Sequence, residues 1–229
     1  YGSSYLARPQ AISLFPPELP LRQGWIDAPD GMEMAGCLWD ASPDSWGQGV
    51  IIAWLTGLQG AAADAVTFDR LTFLLESGSN RIGALDFQRS PTEYESRAQT
   101  ASIDELHEAA QALQRGELRE GLARALVDGT AVGGARPKVL VTDADREYIA
   151  KLSTSTDSYA VVNAEAVGFE LGRRVGIDVP ATKVIQSLGR DVLLVERFDR
   201  PGGGTRRMMV SGLTMLGFGD SLGARYSSY

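Results

Sequence analysis

Two short stretches hold the residues best suited to chemistry: the glycine-rich turn Gly129-Thr-Ala-Val-Gly-Gly-Ala-Arg-Pro-Lys138 and the apolar run Tyr148-Ile-Ala-Lys151 that ends in a lysine. A phosphate is held best where unpaired backbone N–H groups converge, and glycine lets the chain come close and take positive φ. Gly133 and Gly134 offer that freedom with Ala135 beside them, and Arg136 and Lys138 stand nearby as charges. A glycine pair in a hairpin turn serves equally as a plain structural turn. Lys151 follows apolar neighbours, so a half-buried ammonium there needs a partner. Glu165, fourteen residues on, is the candidate. The pair reads either as a lysine clamped against phosphates or as two ordinary surface charges.

The elements around these residues follow from pattern. Lys138–Val141 and Glu147–Lys151, joined through Asp143-Ala-Asp, read as a hairpin, and a long helix is expected from about 160 to 175. Gly176-Ile-Asp-Val-Pro180 closes that helix and leads into two strands, 182–187 and 191–198, hinged on Leu188-Gly189-Arg190. Strand, strand, helix, strand, strand is the order of a kinase small lobe. The second of these late strands, Val192-Leu-Leu-Val, runs into Glu196, Phe198 and the flexible Pro201-Gly-Gly-Gly204. That suits either a hinge whose backbone pairs with a base edge while Phe198 packs on the ring, or a core strand ending in a polar loop.

Upstream, 9–40 alternates short apolar runs with proline and glycine and reads as extended segments and turns. Ser42-Pro-Asp-Ser-Trp46 offers caps before a buried helix at Val50–Leu55, and a second helix is expected over 66–76, ended by Gly78. Ile82–Phe87 reads as a strand and 88–100 as an exposed connection. Ser102-Ile-Asp-Glu105 is a capping box that opens a helix to about Arg115, and another helix spans about 118–126. His107 is expected on a solvated face of the first of these, and Cys37, Trp39, Trp46 and Trp54 in apolar packing.

Composition sets outer bounds. Of the 229 residues, 44% are hydrophobic and 22% charged, which is a globular balance. No apolar run of about 18 residues occurs, so no spanning helix and no membrane association are expected, and the protein reads as cytoplasmic. One cysteine and one histidine exclude an internal disulfide and leave no zinc cluster; no metal site is expected within the chain. A net charge of −7 argues against a surface built to neutralise nucleic acid. The chain starts without methionine and stops at Tyr226-Ser-Ser-Tyr229, so both ends read as cut from a longer protein.

Taken in order, Asp40-Ala-Ser-Pro-Asp-Ser-Trp-Gly47, Gly78-Ser-Asn-Arg-Ile-Gly-Ala-Leu-Asp-Phe87, Gly133-Gly-Ala-Arg-Pro-Lys138, Tyr148–Lys151, Asn163-Ala-Glu165 with Gly176–Pro180, Val195-Glu-Arg-Phe-Asp-Arg200 and Ser211–Gly217 resemble the HipA family of bacterial serine/threonine kinases, the toxins of type II toxin–antitoxin systems. The resemblance implies an α+β protein. It would have a small β-rich N-terminal subdomain over 1–100, a kinase-like small lobe with an antiparallel sheet and one long helix over 101–200, and the truncated start of a helical large lobe over 201–229. It further implies an ATP site made of Gly133, Gly134, Ala135, Lys151, Glu165, Glu196 and Phe198, with Mg²⁺ as second cofactor in the complete protein. A HipB-like helix-turn-helix antitoxin that carries the DNA contacts is the implied partner. A protein substrate, in known cases an aminoacyl-tRNA synthetase, is the implied acceptor.

Two departures stand out. The family commonly autophosphorylates a serine in the glycine loop, where this chain has Ala131, which leaves Thr130 as the nearest candidate. The catalytic Asp, with its His and Asn, and the metal-binding Asp are expected beyond Tyr229. A non-catalytic interaction module of a split toxin–antitoxin system is the alternative that these departures favour, and a small-molecule kinase shares the same loop and lysine.

Overall fold

The computed structural model describes residues 1–98, 101–131, 136–143 and 145–218. Its elements are α1 (Ser3–Leu6), α2 (Gly36–Trp39), α3 (Ser45–Thr56), a 3₁₀ turn (Gly60–Ala62), α4 (Arg70–Glu76), α5 (Ile103–Arg115) and α6 (Glu120–Gly129), then β1 (Lys138–Asp143), β2 (Arg146–Leu152), α7 (Val161–Arg174), β3 (Thr182–Ser187), β4 (Arg190–Glu196) and α8 (Gly212–Met215). The four strands form one antiparallel sheet in the order β1-β2-β4-β3. The protein is therefore α+β, with its helices on both faces of a single sheet.

Local chemistry explains where the ordered elements start and stop. Ser102 Oγ accepts from the N–H of Glu105 at 3.2 Å and Glu105 Oε2 accepts from the N–H of Ser102 at 2.7 Å, which closes the expected capping box at the start of α5. Gly116, at φ 73°, then ends that helix in a left-handed cap. Leu188 and Gly189 both take positive φ, 51° and 72°, as a two-residue turn between twisted strands requires.

β4 carries four apolar residues in a row because both sheet faces are covered. Val192 and Leu194 point with Ala150 and Leu152 into a core shared with Leu106, Ala109, Leu126 and Ile51. Leu193 and Val195 pack under α7 against Val162, with Ala166 and Phe169 beside them. The larger core joins α3 to α5, α6 and the sheet, so it crosses residue 100, where a boundary between units was expected.

Three expectations are corrected. The first 98 residues contain no strand, so the N-terminal part is not β-rich, and Ile82–Phe87 is irregular. Pro16, Pro17 and Pro20 have no N–H to give a ladder. At 82–87, Gly83 bends the chain at φ 79°, and nearby carbonyls are taken by arginines rather than by a neighbouring strand. Second, α4 begins at Arg70 rather than 66, because Asp69 caps it by accepting from the N–H of Thr72 at 2.8 Å. Third, His107 is fully buried. Its Nδ1 lies 3.0 Å from Ser187 Oγ and its Nε2 3.2 Å from the Ser153 carbonyl, so α5 turns that side inward onto β3. Burial lowers the imidazole pKa, and Ser187 in turn donates to Asp104 at 2.7 Å.

The expectation for Cys37 agrees with the structure: it is buried, and burial together with neighbouring Glu18 pushes its thiol up to about 12.

Candidate functional site

Lys151 and Glu165 meet. In the antiparallel pair β1–β2, Lys151 lies directly opposite Lys138, so the two side chains share the face of the sheet covered by α7. On α7, Val162, Ala166 and Phe169 face the sheet, and Glu165 falls on the same helical stripe. Lys151 Nζ donates to Glu165 Oε1 in an ion pair whose side chains are 31% and 35% exposed. An ion pair this accessible adds little to stability, so its interest lies in what it orients.

The pair lines a cavity of about 220 Å³ together with Arg136, Pro137, Lys138 and Val162. This is smaller than the roughly 300–1,000 Å³ of a whole-ligand pocket and suits charged groups. Lys138 is the anomaly in its wall. Its side chain is buried, and among the described residues its ammonium has no hydrogen-bond partner. Burial pushes its pKa down; the carboxylate of Asp44 opposes that shift and the like charge of Lys151 adds to it. Asp44, half-buried just ahead of α3, is its counter-charge. One of its carboxylate oxygens also lacks a partner among the described residues, and burial raises its pKa against the pull of Lys138. Arg136, by contrast, is tied to Asp157 at 2.6 Å. A cavity with one paired and one partnerless ammonium is chemically prepared for an anion.

The other expected site residues are distributed as follows. Gly133, Gly134 and Ala135 lie outside the described residues. Thr130 caps the end of α6, is fully buried, and donates its hydroxyl to the Val127 carbonyl at 3.4 Å, so a phosphoryl donor reaches it only if this end of the helix opens. Glu196 and Phe198 are not in the cavity wall. Glu196 pairs across the sheet with Tyr148, three positions along the ladder from Lys151, or roughly 10 Å. Its carboxylate accepts from Arg146 at 2.8 Å, and Phe198 is 59% exposed.

Two motifs that sequence reading treated as separate prove to be partners. Arg197 and Asp199, buried on either side of Phe198, form a two-pronged pair at 3.0 and 2.7 Å. Both dock on the 80–83 turn. Asn80 Oδ1 accepts from Arg197 at 2.8 Å and from Arg200 at 3.0 Å. The Arg81 carbonyl accepts from Arg197 at 2.6 Å, and the Gly83 N–H donates to Asp199 at 2.8 Å. Burial alone would raise the pKa of Asp199, but Arg197, the Gly83 N–H and Arg200 together hold it below its ordinary value. Arg81 is itself fully buried beside Asp86 and reaches the carbonyls of Ala41 and Ser77. The sequence signal was present in the alternation Arg197-Phe198-Asp199, but nothing in spacing alone pointed to its receptor more than a hundred residues upstream.

Residues 130–229, a little under half of the chain, match the family model described as the HipA-like C-terminal domain. The matched span takes in Lys138, Lys151, Glu165 and the 196–200 segment, and leaves α3 and the 80–83 turn outside it. No curated protein matches the chain. Among the described residues no group of three His, Cys, Asp or Glu side chains could hold a metal ion, and no helix is long and apolar enough to cross a membrane.

Proposed function

We propose that this chain is the nucleotide-binding portion of a HipA-like serine/threonine kinase, which in its complete form transfers the γ-phosphoryl group of ATP to a protein hydroxyl. The reading rests on the Lys151–Glu165 pair set beside the partnerless Lys138 ammonium in one cavity. In that role Glu165 holds Lys151 extended, and Lys151 and Lys138 neutralise phosphate oxygens; Gly133, Gly134 and Ala135 are assigned to the same groups by the sequence resemblance. Glu196 and Phe198 take the base, the first through backbone groups and the second through its ring face.

The order strand, strand, helix, strand, strand over 138–196, with the helix carrying the carboxylate and the second strand the lysine, supports a kinase-like small lobe. Mg²⁺ is the second cofactor of this reading. A HipB-like antitoxin as partner, a protein substrate and a cytoplasmic setting follow from the same reading.

The test uses the intact protein, ATP labelled at the γ-phosphate, and Lys151→Ala. Loss of label transfer both to protein targets and to the kinase itself is the expected result. Transfer at the wild-type rate would sink the assignment.

A further inference from the structure

The segment that leaves β4 alternates strictly. Arg197 and Asp199 point inward with side chains 0% and 3% exposed, while Phe198 between them stands 59% exposed. A large apolar ring in that setting does not hold itself in place by burial; its direction is fixed by its two neighbours. Those neighbours are locked to each other by the two-pronged Arg197–Asp199 pair, which spans Phe198. They are locked to the protein by the 80–83 turn, through Asn80 Oδ1, the Arg81 carbonyl and the N–H of Gly83.

Gly83 suits the task because its φ of 79° turns its N–H toward Asp199, and an added Cβ would stand 3.2 Å from the Cβ of Met209. Asn80 is the junction. Its amide oxygen takes Arg197 and Arg200, and its amide nitrogen donates to Glu147 of β2 at 2.6 Å, so one side chain ties the exit of β4 to the neighbouring strand.

We infer that the 80–83 turn is a positioning element for base recognition, with Asn80 as its central positioning residue: it fixes the direction of Phe198 and of the 196–198 backbone toward a purine base. The inference rests on the nucleotide reading above and assigns it a second requirement, contributed by a part of the chain outside the matched HipA-like domain. Asn80 touches no ligand; it acts through Arg197.

The test is Asn80→Ala in the whole chain, a change at a partly exposed side chain, read in two ways. Binding of ATP is compared with binding of inorganic triphosphate, which carries the anion without the base. Amide hydrogen exchange at 196–200 is followed without ligand. The expected result is an affinity for ATP weakened about tenfold, triphosphate affinity unchanged, and exchange at 196–200 about tenfold faster.

Wild-type exchange rates in the variant overturn the inference. Faster exchange with an unaltered ratio of ATP to triphosphate affinity overturns it as well. If the wild-type chain binds ATP no better than triphosphate, base recognition at 196–198 is refuted, and the role given to the turn falls with it. If it binds neither, the nucleotide reading itself fails, and the function inferred for the turn is lost.

Discussion

Replacing Arg197 by methionine keeps most of the side-chain volume and deletes a guanidinium that is wholly buried. Four acceptors lose a donor: the Asp199 carboxylate, Asn80 Oδ1, the Arg81 carbonyl and, more weakly at 3.5 Å, Glu147. Breaking a buried charge pair by removing one partner costs about 3–5 kcal/mol. The lower end applies here, because Asp199 keeps Arg200 at 2.8 Å and the Gly83 N–H at 2.8 Å, and the Arg81 carbonyl keeps Arg200. A loss of about 3 kcal/mol lowers the melting temperature of a protein of this size by roughly 6–12 °C.

The same variant carries a pH signature. Asp199 has a folded pKa below its ordinary 3.8, so its contribution is present above that value and fades as pH falls through the lower folded pKa. The advantage of wild type over Arg197→Met therefore shrinks in acid. Urea unfolding followed by tryptophan fluorescence at pH 7 and again below pH 4 measures both effects. The exposed Arg146–Glu196 pair, with side chains 64% and 30% accessible, serves as the contrast, and Arg146→Ala costs at most about 1 kcal/mol. If Arg197→Met costs no more than Arg146→Ala, or its cost does not diminish in acid, the account of the 80–83 junction is wrong.

His107 is the single histidine, so its ring is readable by NMR without assignment. Its folded pKa lies below 6.5, so its contribution is complete above 6.5 and is lost as pH falls through the folded value. Stability should decline with acidification in step with the titration of this one imidazole, and a ring that titrates at or above 6.5 would contradict its burial. At Gly78 an added Cβ would overlap the carbonyl oxygen of Asp128 at the end of α6 and lie 3.0 Å from its Cα, so Gly78→Ala is expected to cost about 1–3 kcal/mol in urea unfolding. An unchanged midpoint there would mean that α6 yields freely.

Much of the fold was legible wherever the signal was local. The capping box at Ser102–Glu105, the hairpin 138–152 and the turn at Leu188-Gly189 each depend on residues a few positions apart. The apolar run Val192–Val195 announced a strand for the same reason. The failures share a cause. Ile82–Phe87 has a composition fit for a strand, but its neighbours offer guanidinium groups rather than a free strand edge. His107 sits among charged residues in sequence, yet α5 packs that side against Ser187, eighty positions away.

For the candidate site, residue type and spacing alone proposed Lys151 and Glu165, because a lysine after an apolar run and a carboxylate on the next helix are local facts about a strand and a helix. Only the tertiary structure decided that these two meet and that Lys138 stands opposite Lys151 with no hydrogen-bond partner among the described residues. It alone set Asp44 as the counter-charge and made the 80–83 turn the receptor for Arg197 and Asp199. Those pairings join charges far apart along the chain, and their existence depends on how sheet faces, helix stripes and turns come to lie together, which no periodicity in the sequence records.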